Sequence, residues 1–239
     1  MAWLLWFGRR TLVAFAFGAV VTSFAVDCPV STNVCGHENT EWSIGYAYHL
    51  TDELGKLPRV LLIGDSICNE YQSGVRAHLE GRMNVSYWVS SHCVTAPVYL
   101  KMLAIYLDAA KYDVIHFNNG LHSLQTPVES YAAGIAVALK LIREKQPQAR
   151  IVWASSTPLA DSIRTKKVQE LNDAAANVAK SAGCDMDDLF ALLDPLDREA
   201  NWSDAFHHVK TARNLLARQV ARCVCRTLVE KIDAAANEH

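Results

Sequence analysis

Two short polar segments, far apart in this sequence, together carry the residue types needed for nucleophilic attack on a carbonyl group. The first is Gly64-Asp65-Ser66-Ile67, and the second, Trp202–His208, contains Asp204 and His207. A serine hydroxyl is a weak nucleophile until a histidine accepts its proton, and an aspartate can hold that histidine in the required tautomer. The pattern favours Ser66 as nucleophile, His207 as base and Asp204 as the residue that orients the base.

Each segment taken alone also has an ordinary structural explanation. Ser66 stands directly before a helical pattern, where serine commonly caps the helix N-terminus. An Asp-x-x-His spacing is frequent by chance, and a surface cap explains it equally well. The chemical interpretation becomes stronger because the two segments occur in this order and at the boundaries of predicted elements.

The sequence around these segments alternates between short apolar runs and longer helical patterns. The apolar runs predict five strands: Arg59–Ile63, Asn84–Trp88, Asp113–Phe117, Arg150–Ala154 and a weak Cys184–Leu189. The longer patterns predict helices: Asn69–Leu79, Val98–Ala110, Val128–Glu144, Asp161–Ala182 and Val209–Ala235. This alternation indicates right-handed crossovers and an α/β fold whose parallel sheet is covered on both faces. Ligands bind such sheets at the carboxyl ends of the strands, where Ser66 stands.

The two segments resemble motifs of the SGNH/GDSL hydrolase superfamily, because the first follows the first predicted strand and the second precedes the last predicted helix. Three further segments support the resemblance: Tyr112–His122, Ile151–Pro158 and Cys184–Leu189. The resemblance covers about Leu57–Leu228 and implies a flavodoxin-like three-layer α/β/α sandwich with a parallel sheet of about five strands. It also implies ester hydrolysis without a metal or other cofactor, with Ser66, Asp204 and His207 as the triad.

The resemblance also indicates which histidine is the catalytic base. The superfamily pattern is Asp-x-x-His, which favours His207 over the adjacent His208 as the base. His116 lies inside the third predicted strand, so we expect its imidazole to pack or form hydrogen bonds within the core.

The residues that would stabilise the oxyanion depart from the superfamily pattern. Its third block commonly has the sequence Gly-x-Asn-Asp, whereas this chain has Gly120-Leu121-His122-Ser123. Either His122 or Asn118 could donate a side-chain hydrogen bond to the oxyanion, beside the backbone N–H of Ser66. The alternative is that Asn118 and Asn119 serve only the turn after the third strand.

Four residues in or beside these motifs are expected to contact the substrate: Asp65, His92, Asn119 and Gly120. The superfamily often places a glycine after the second strand, and its backbone N–H joins the oxyanion hole. The corresponding segment here, Ser90–Thr95, contains no glycine. Its backbone N–H groups are still present, so the contribution can persist without one. A plain polar role is the alternative for His92.

The first 25 residues differ from the rest of the chain. They contain two arginines, then an apolar run, then small residues before the expected cleavage site: Arg9, Arg10, Thr11–Val21, Ser23 and Ala25. This pattern predicts a secretory signal peptide, residues 1–25, and hence a secreted or periplasmic protein. An uncleaved anchor that holds the domain at a membrane and a twin-arginine export route are the alternatives. The remaining chain divides into an irregular lead-in, 26–57, and one hydrolase domain, 58–235.

Seven cysteines follow the expected cleavage site, which allows up to three disulfides in an oxidising compartment. Cys28 and Cys35 lie close together in a loop-like stretch and are candidates for a local bridge. Cys223 and Cys225 fall on one predicted helix and face different ways, so they cannot easily pair with each other. A Cys-x-Cys without a second pair is a poor metal site, so we expect no metal.

The charge of the chain limits its partners. The formal charge is −2 and no basic cluster follows the first ten residues, so nucleic acid is not an expected partner. Secretion with this fold favours short-chain acyl esters as substrates, above all O-acetyl groups on carbohydrate. Acyl transfer by the same triad is one alternative, since a sugar hydroxyl can compete with water for the acyl-enzyme. A non-catalytic carbohydrate-binding or cell-envelope protein that retains the fold is another.

Overall fold

The computed structural model describes residues 41–47 and 56–237 of the chain. The strands are β1 Ser43–Tyr46, β2 Arg59–Gly64, β3 Asn84–Ser90, β4 Val114–Phe117, β5 Arg150–Ala154 and β6 Asp185–Asp187. The helices are α1 Ser66–Leu79, α2 Tyr99–Asp108, α3 Val128–Lys145, α4 Ser162–Ser181, α5 Leu189–Leu193, α6 Arg198–Asn201 and α7 Lys210–Asn237. A 3₁₀ turn, Leu121–Ser123, follows β4. The predicted long helices and strands are confirmed to within a few residues at their ends.

The six strands form one sheet in the order β1-β3-β2-β4-β5-β6. Pairing is parallel between β3, β2, β4, β5 and β6, and antiparallel only between β1 and β3 among the described strands. Helices cover both faces of the sheet. The predicted α/β fold, a three-layer sandwich around a mostly parallel sheet, is therefore confirmed.

Strand β2 shows how the two apolar layers form, because successive side chains of a strand point to opposite faces. Val60 and Leu62 belong to the core formed with α1 and α7, whereas Leu61 and Ile63 belong to the core formed with α2, α3 and α4. All of them are fully buried. A central strand buried on both faces needs apolar residues at every position, which explains the continuous apolar run in the sequence.

The core also contains a buried polar pair. His116 of β4 is fully buried, and its Nε2 lies 3.0 Å from Oδ2 of Asp187 at the end of β6. Gln219 of α7 donates a hydrogen bond to the other oxygen of Asp187 at 2.8 Å. The pair satisfies polar atoms that burial would otherwise leave without partners, and it confirms the predicted core role of His116.

The sheet has one strand more than the five predicted from the sequence. Ser43–Tyr46 falls in the segment predicted as an irregular lead-in, 26–57, but it pairs with Tyr87–Ser90 at the edge of the sheet. Three of its four residues are exposed, so it has no apolar run from which a strand could be predicted. Its pairing depends on distant contacts, such as the hydrogen bond at 2.8 Å that the Trp88 indole donates to Ser43 Oγ.

Helices α1 and α7 pack closely on one face of the sheet. Gly74 of α1 lies so near Ala217 of α7 that an added Cβ would come within 2.7 Å of the alanine Cβ. Ser66 begins α1, and the loop that contains Asp204 and His207 leads into α7. The packing of these two helices therefore brings the two polar segments to the same end of the sheet.

The described cysteines differ in state. Four of them are free: Cys68, Cys184, Cys223 and Cys225. The prediction that Cys223 and Cys225 do not pair is confirmed. Cys93 is disulfide-bonded. The predicted signal peptide, residues 1–25, and the predicted bridge between Cys28 and Cys35 lie outside the residues that the structure describes. No helix within residues 41–47 and 56–237 combines the length and apolarity that crossing a membrane requires.

Candidate active site

Ser66 is the first residue of α1 and follows the turn that ends β2. Asp65 caps this helix, because its Oδ1 accepts a hydrogen bond from the backbone N–H of Ile67 at 3.0 Å. The alternative in which Ser66 itself caps the helix is therefore wrong. Asp65 is only 1% exposed, so its carboxylate holds the turn rather than facing a substrate. The first N–H groups of a helix have no acceptor within the helix, which leaves the Ser66 N–H available beside its hydroxyl.

The segment Trp202–His208 forms a tight loop that is closed by its own backbone and tied to a neighbouring turn. The backbone N–H of Ser203 donates to the His207 carbonyl at 2.8 Å. The indole N–H of Trp202 donates to the carbonyl of Pro158, in the turn after β5, at 3.1 Å. These bonds fix the loop against the carboxyl end of the sheet.

Asp204 and His207 form a hydrogen-bonded pair within this loop. Asp204 Oδ1 accepts from the backbone N–H groups of Phe206 and His207, each at 2.8 Å, and its Oδ2 lies 2.8 Å from His207 Nδ1. Burial alone would raise the pKa of Asp204, but these backbone and side-chain hydrogen bonds outweigh it and lower the pKa to about 2. An ionised carboxylate only accepts hydrogen bonds, so Nδ1 of His207 is the donor in this pair, and in the neutral imidazole the lone pair then lies on Nε2.

Ser66 and His207 line the same pocket, which has a volume of about 470 Å³. The other lining residues are mostly apolar or aromatic: Trp42, Leu121, His122, Leu124, Gln125, Arg164 and Phe206. The structure thus brings together the three residues predicted as a triad, with Asp204 bonded to the ring of His207. The pocket is within the size range of small-molecule sites in proteins.

His208 points away from this pocket into the protein. Its side chain is fully buried, and its Nδ1 lies 3.1 Å from Oε2 of Glu70, one turn after Ser66 on α1. Glu70 also accepts from the backbone N–H of His208 at 3.2 Å and lies 3.1 Å from Nε of Arg213. His208 therefore anchors the loop to the helix that starts at Ser66, and of the two histidines only His207 faces the pocket.

Asn118 and Asn119 hold the turn after β4. The Asn118 amide donates to the carbonyl of Ala154 at 2.8 Å and to Ser156 Oγ at 3.2 Å. The Asn119 amide donates to the His92 carbonyl at 3.0 Å, and its oxygen accepts from the Val94 N–H at 3.0 Å. Neither side chain lines the pocket. These contacts agree with the interpretation in which both asparagines serve the turn, and they leave Asn118 without a spare N–H for an oxyanion.

Gly120 and His122 follow in the same turn. A Cβ on Gly120 would lie 1.8 Å from Ser156 Oγ, so only glycine permits this close approach of the turn to the segment after β5. Gly120 thus shapes the turn and does not line the pocket. His122, in the 3₁₀ turn, does line it, and its ring meets that of Trp42 edge to face with centroids 6.2 Å apart. His122 is accordingly the third-block side chain that is placed to face a bound ligand.

The segment after β3, Ser90–Thr95, contributes no residue to the pocket lining. His92 is 8% exposed, and its Nδ1 lies 3.2 Å from Oε2 of Glu41. Its backbone N–H donates to Ser90 Oγ at 3.1 Å. The structure therefore places His92 in contact with the segment before β1 and outside the pocket lining.

Six lining residues were not predicted as site residues: Trp42, Leu121, Leu124, Gln125, Arg164 and Phe206. Phe206 stands between Asp204 and His207, and this position in the motif could have indicated its place. Trp42 reaches the pocket because its backbone bonds with Ser91, a contact that no local pattern reveals. Within the described part of the chain, no group of three His, Cys, Asp or Glu side chains is arranged to hold a metal ion.

Comparison with known proteins identifies the fold. No protein-family model matches the sequence, and no curated protein matches it significantly. A GDSL-like lipase from Bacteroides thetaiotaomicron superposes with a TM-score of 0.61 at 11% identity, covering 75% of this chain and 92% of that one. A carbohydrate esterase family 3 protein from Talaromyces cellulolyticus gives a TM-score of 0.60 at 14% identity, over 73% and 99% of the two chains. An acetyl xylan esterase from Geobacillus stearothermophilus gives 0.59 at 15% identity, over 70% and 94%.

Proposed function

Because the chain has the fold of GDSL-like lipases and acetyl esterases, we propose that it is a serine esterase that removes short-chain acyl groups, chiefly acetyl, from carbohydrate. One observation carries the proposal: Ser66 and His207 line one pocket, and Oδ2 of Asp204 lies 2.8 Å from Nδ1 of that histidine. A hydroxyl, an imidazole and an ionised carboxylate in this relation are the parts of an acyl-enzyme mechanism.

In the proposed reaction, Ser66 Oγ attacks the ester carbonyl while Nε2 of His207 accepts the serine proton. The tetrahedral intermediate collapses when His207 returns this proton to the oxygen of the leaving alcohol. Water then attacks the acyl-enzyme, with His207 again accepting a proton, and the acid is released as Ser66 regains its hydrogen. Asp204 stabilises the imidazolium that forms in both halves and keeps Nε2 directed at the reacting atoms.

Two donors are proposed for the oxyanion. The backbone N–H of Ser66 lies at the N-terminus of α1, where unpaired N–H groups and the helix dipole favour negative charge. The second donor is the ring of His122, which lines the same pocket in place of the asparagine expected from the superfamily pattern. Such donors act most strongly where charge develops in the transition state.

The proposed substrate follows from the pocket and from the comparisons. Trp42 and Phe206 provide aromatic walls, and a volume of about 470 Å³ accommodates an acylated sugar. The structural neighbours include proteins described as an acetyl xylan esterase and a carbohydrate esterase. Export, as expected from residues 1–25, would deliver the enzyme to the compartments where polysaccharides occur.

The substrate proposal is tested by incubating the protein with acetylated xylo-oligosaccharides and measuring free acetate and the mass of each sugar product. Stepwise loss of acetyl groups with matching release of acetate is the expected result. A parallel reaction with an added alcohol acceptor distinguishes hydrolysis from transfer. If the acetylated alcohol is the main product, the protein is an acyltransferase and not a hydrolase. If the substrate is unchanged, the proposal is contradicted.

Replacing Asp204 with asparagine is expected to lower kcat by about 10⁴-fold. The asparagine oxygen can still accept from the backbone N–H groups of Phe206 and His207, so its NH₂ group faces Nδ1 of His207. Nδ1 then becomes an acceptor, the ring proton moves to Nε2, and the base is lost. Initial rates on an aryl acetate measure the effect. Glu199→Gln, which removes an exposed carboxylate from α6, is the matched control, and an equal loss in that variant would contradict the assignment.

Asp204→Asn is also expected to change how the free energy of unfolding depends on pH. The native pKa of Asp204, about 2, lies below its ordinary value of 3.8, so the carboxylate favours the folded state above pH 3.8. This contribution disappears as the pH falls through about 2. The difference in free energy of unfolding between wild type and Asp204→Asn should therefore narrow as the pH is lowered below about 4. Denaturant titrations at a series of pH values check this, and a constant difference would contradict it.

Replacing His122 with alanine is expected to lower kcat by about 10²–10³-fold with little change in KM. The ring is proposed to bond the oxyanion, which exists only after attack, so its loss weakens the transition state more than substrate binding. His122→Asn restores a donor of the type found at this position in the superfamily pattern. We expect this variant to recover most of the lost kcat. Equal activities of the alanine and asparagine variants would show that the position supplies no hydrogen bond to the oxyanion.

A further inference from the structure

The pocket that contains Ser66 has one permanently charged wall. Arg164 is the only lysine or arginine among the described lining residues, and none of them is an aspartate or glutamate. Two carboxylates of adjacent loops are engaged elsewhere. Asp204 bonds to His207, and Asp161 caps α4 by accepting from the backbone N–H groups of Ile163 and Arg164 at 2.7 and 3.1 Å. The lining therefore contributes one positively charged side chain, Arg164, and no negatively charged one to whatever the pocket binds.

Arg164 is held in place by an aromatic ring. Its guanidinium carbon lies 4.9 Å from the ring centroid of Phe206, a cation–π contact. No carboxylate forms an ion pair with Arg164 in the described part of the chain. A guanidinium stacked on a ring keeps the N–H groups at its edge free, and these match the two oxygens of a carboxylate.

The position of Arg164 also indicates which part of an ester it meets. In the proposed reaction His207 protonates the leaving alcohol, so the alcohol portion lies beside His207. Phe206 is the neighbour of His207 in the chain, and Arg164 stacks on Phe206. His122 and Trp42, whose rings contact each other, form another part of the wall. The charged wall therefore adjoins the alcohol portion of the ester.

From this geometry we propose that Arg164 binds a carboxylate on the alcohol portion of the substrate, which makes acylated acidic sugars of the uronic acid type the preferred substrates. The inference rests on the proposed esterase function and specifies it. With a neutral sugar bound, the N–H groups of the Arg164 guanidinium would have no carboxylate to bind and would donate to water. A uronic acid would add a charge-assisted hydrogen-bonded pair beside the aromatic wall.

The test compares two substrates that differ only in charge: methyl glucuronide and methyl glucoside, each with one acetyl group at the same hydroxyl. The wild-type kcat/KM is expected to favour the glucuronide by about five- to tenfold at low ionic strength, and less at high salt. In Arg164→Gln the ratio of the two values should fall to about one, because the charge is lost. In Arg164→Lys it should be intermediate, since the charge remains without the planar fork.

Lys166→Gln is the matched control, since Lys166 is an exposed cation on the same helix that does not line the pocket. This variant should keep the wild-type ratio. A wild-type ratio near one, or an Arg164→Gln ratio equal to that of wild type, would overturn the proposal. An equal fall of the ratio in Lys166→Gln would also overturn it, because the preference would then reflect overall charge.

A binding measurement separates this proposal from the esterase function. Isothermal titration of Ser66→Ala with each acetylated glycoside is expected to show tighter binding of the glucuronide, and the double variant with Arg164→Gln should lose this difference. If neither glycoside is cleaved by wild type but the difference in affinity persists, the esterase proposal fails and the role of Arg164 stands. If cleavage occurs but the affinities are equal, the role of Arg164 fails alone.

Discussion

Replacing Ser66 with alanine is expected to lower kcat for an aryl acetate by about 10⁶-fold, close to complete loss of catalysis. Without Oγ no acyl-enzyme can form, and a water molecule held by His207 is a poor substitute. The fold should be unaffected, because Asp65 and not Ser66 caps α1 through its bond to the Ile67 N–H. Stopped assays at high enzyme concentration measure the residual rate, and thermal unfolding checks stability.

Ser73→Ala provides the matched control for this experiment. Ser73 lies two turns further along the same helix and is exposed to solvent. Its replacement removes the same hydroxyl group without touching the pocket, so activity should equal that of wild type. Turnover by Ser66→Ala within tenfold of wild type would contradict the assignment of the nucleophile.

Replacing His207 with alanine is expected to have an effect of similar size, again about 10⁶-fold on kcat, because the serine loses its base. The two losses should not add. The double variant Ser66→Ala/His207→Ala should be about as active as either single variant, since each removes the same acyl-enzyme pathway. Initial rates of the three variants on one ester form the required cycle.

Replacing His208, the neighbour of His207, tests which of the two histidines is catalytic and which anchors the loop. His208→Gln is expected to lower the free energy of unfolding by about 1–3 kcal/mol, because His208 is fully buried and bonds to Glu70. Its kcat should fall by less than about tenfold, since only the position of the loop is disturbed. If His208→Gln abolishes activity in a folded protein while His207→Ala retains it, the base has been assigned to the wrong residue.

The parallel sheet and its main helices could be predicted because their signals are local. Arg150–Ala154 is a short apolar run followed by Ser155 and Ser156, it is buried on both faces, and its predicted limits match those of β5. Strand β1 could not be predicted in this way. Ser43–Tyr46 is short, mostly exposed and defined by its pairing with β3 rather than by a pattern of its own.

The same distinction applies to the candidate site. Ser66, Asp204 and His207 occur in motifs at element boundaries, so their types and positions indicated a site before the fold was known. Arg164 and Trp42 lie in segments without such motifs. They reach the pocket because α4 begins beside Phe206 and because the segment before β1 bonds to Ser91.

The side-chain donor to the oxyanion could not be predicted from the sequence. Asn118 and His122 are equally plausible as donors from residue type alone, since both carry N–H groups. The choice depends on where each side chain points, which tertiary contacts decide. Asn118 is bound by Ala154 and Ser156, whereas His122 lines the pocket. Gly120 explains this arrangement, because a larger residue would collide with Ser156 and move the turn.

The central claim, that Ser66 is a nucleophile activated by His207, is tested most directly by reaction with a fluorophosphonate probe. The probe phosphonylates a serine only when a neighbouring base activates its hydroxyl. We expect one label per molecule, found on the peptide that contains Ser66 by mass spectrometry, and no label in Ser66→Ala or His207→Ala. Absence of labelling in the folded wild-type protein, or a label on another serine, would contradict the account.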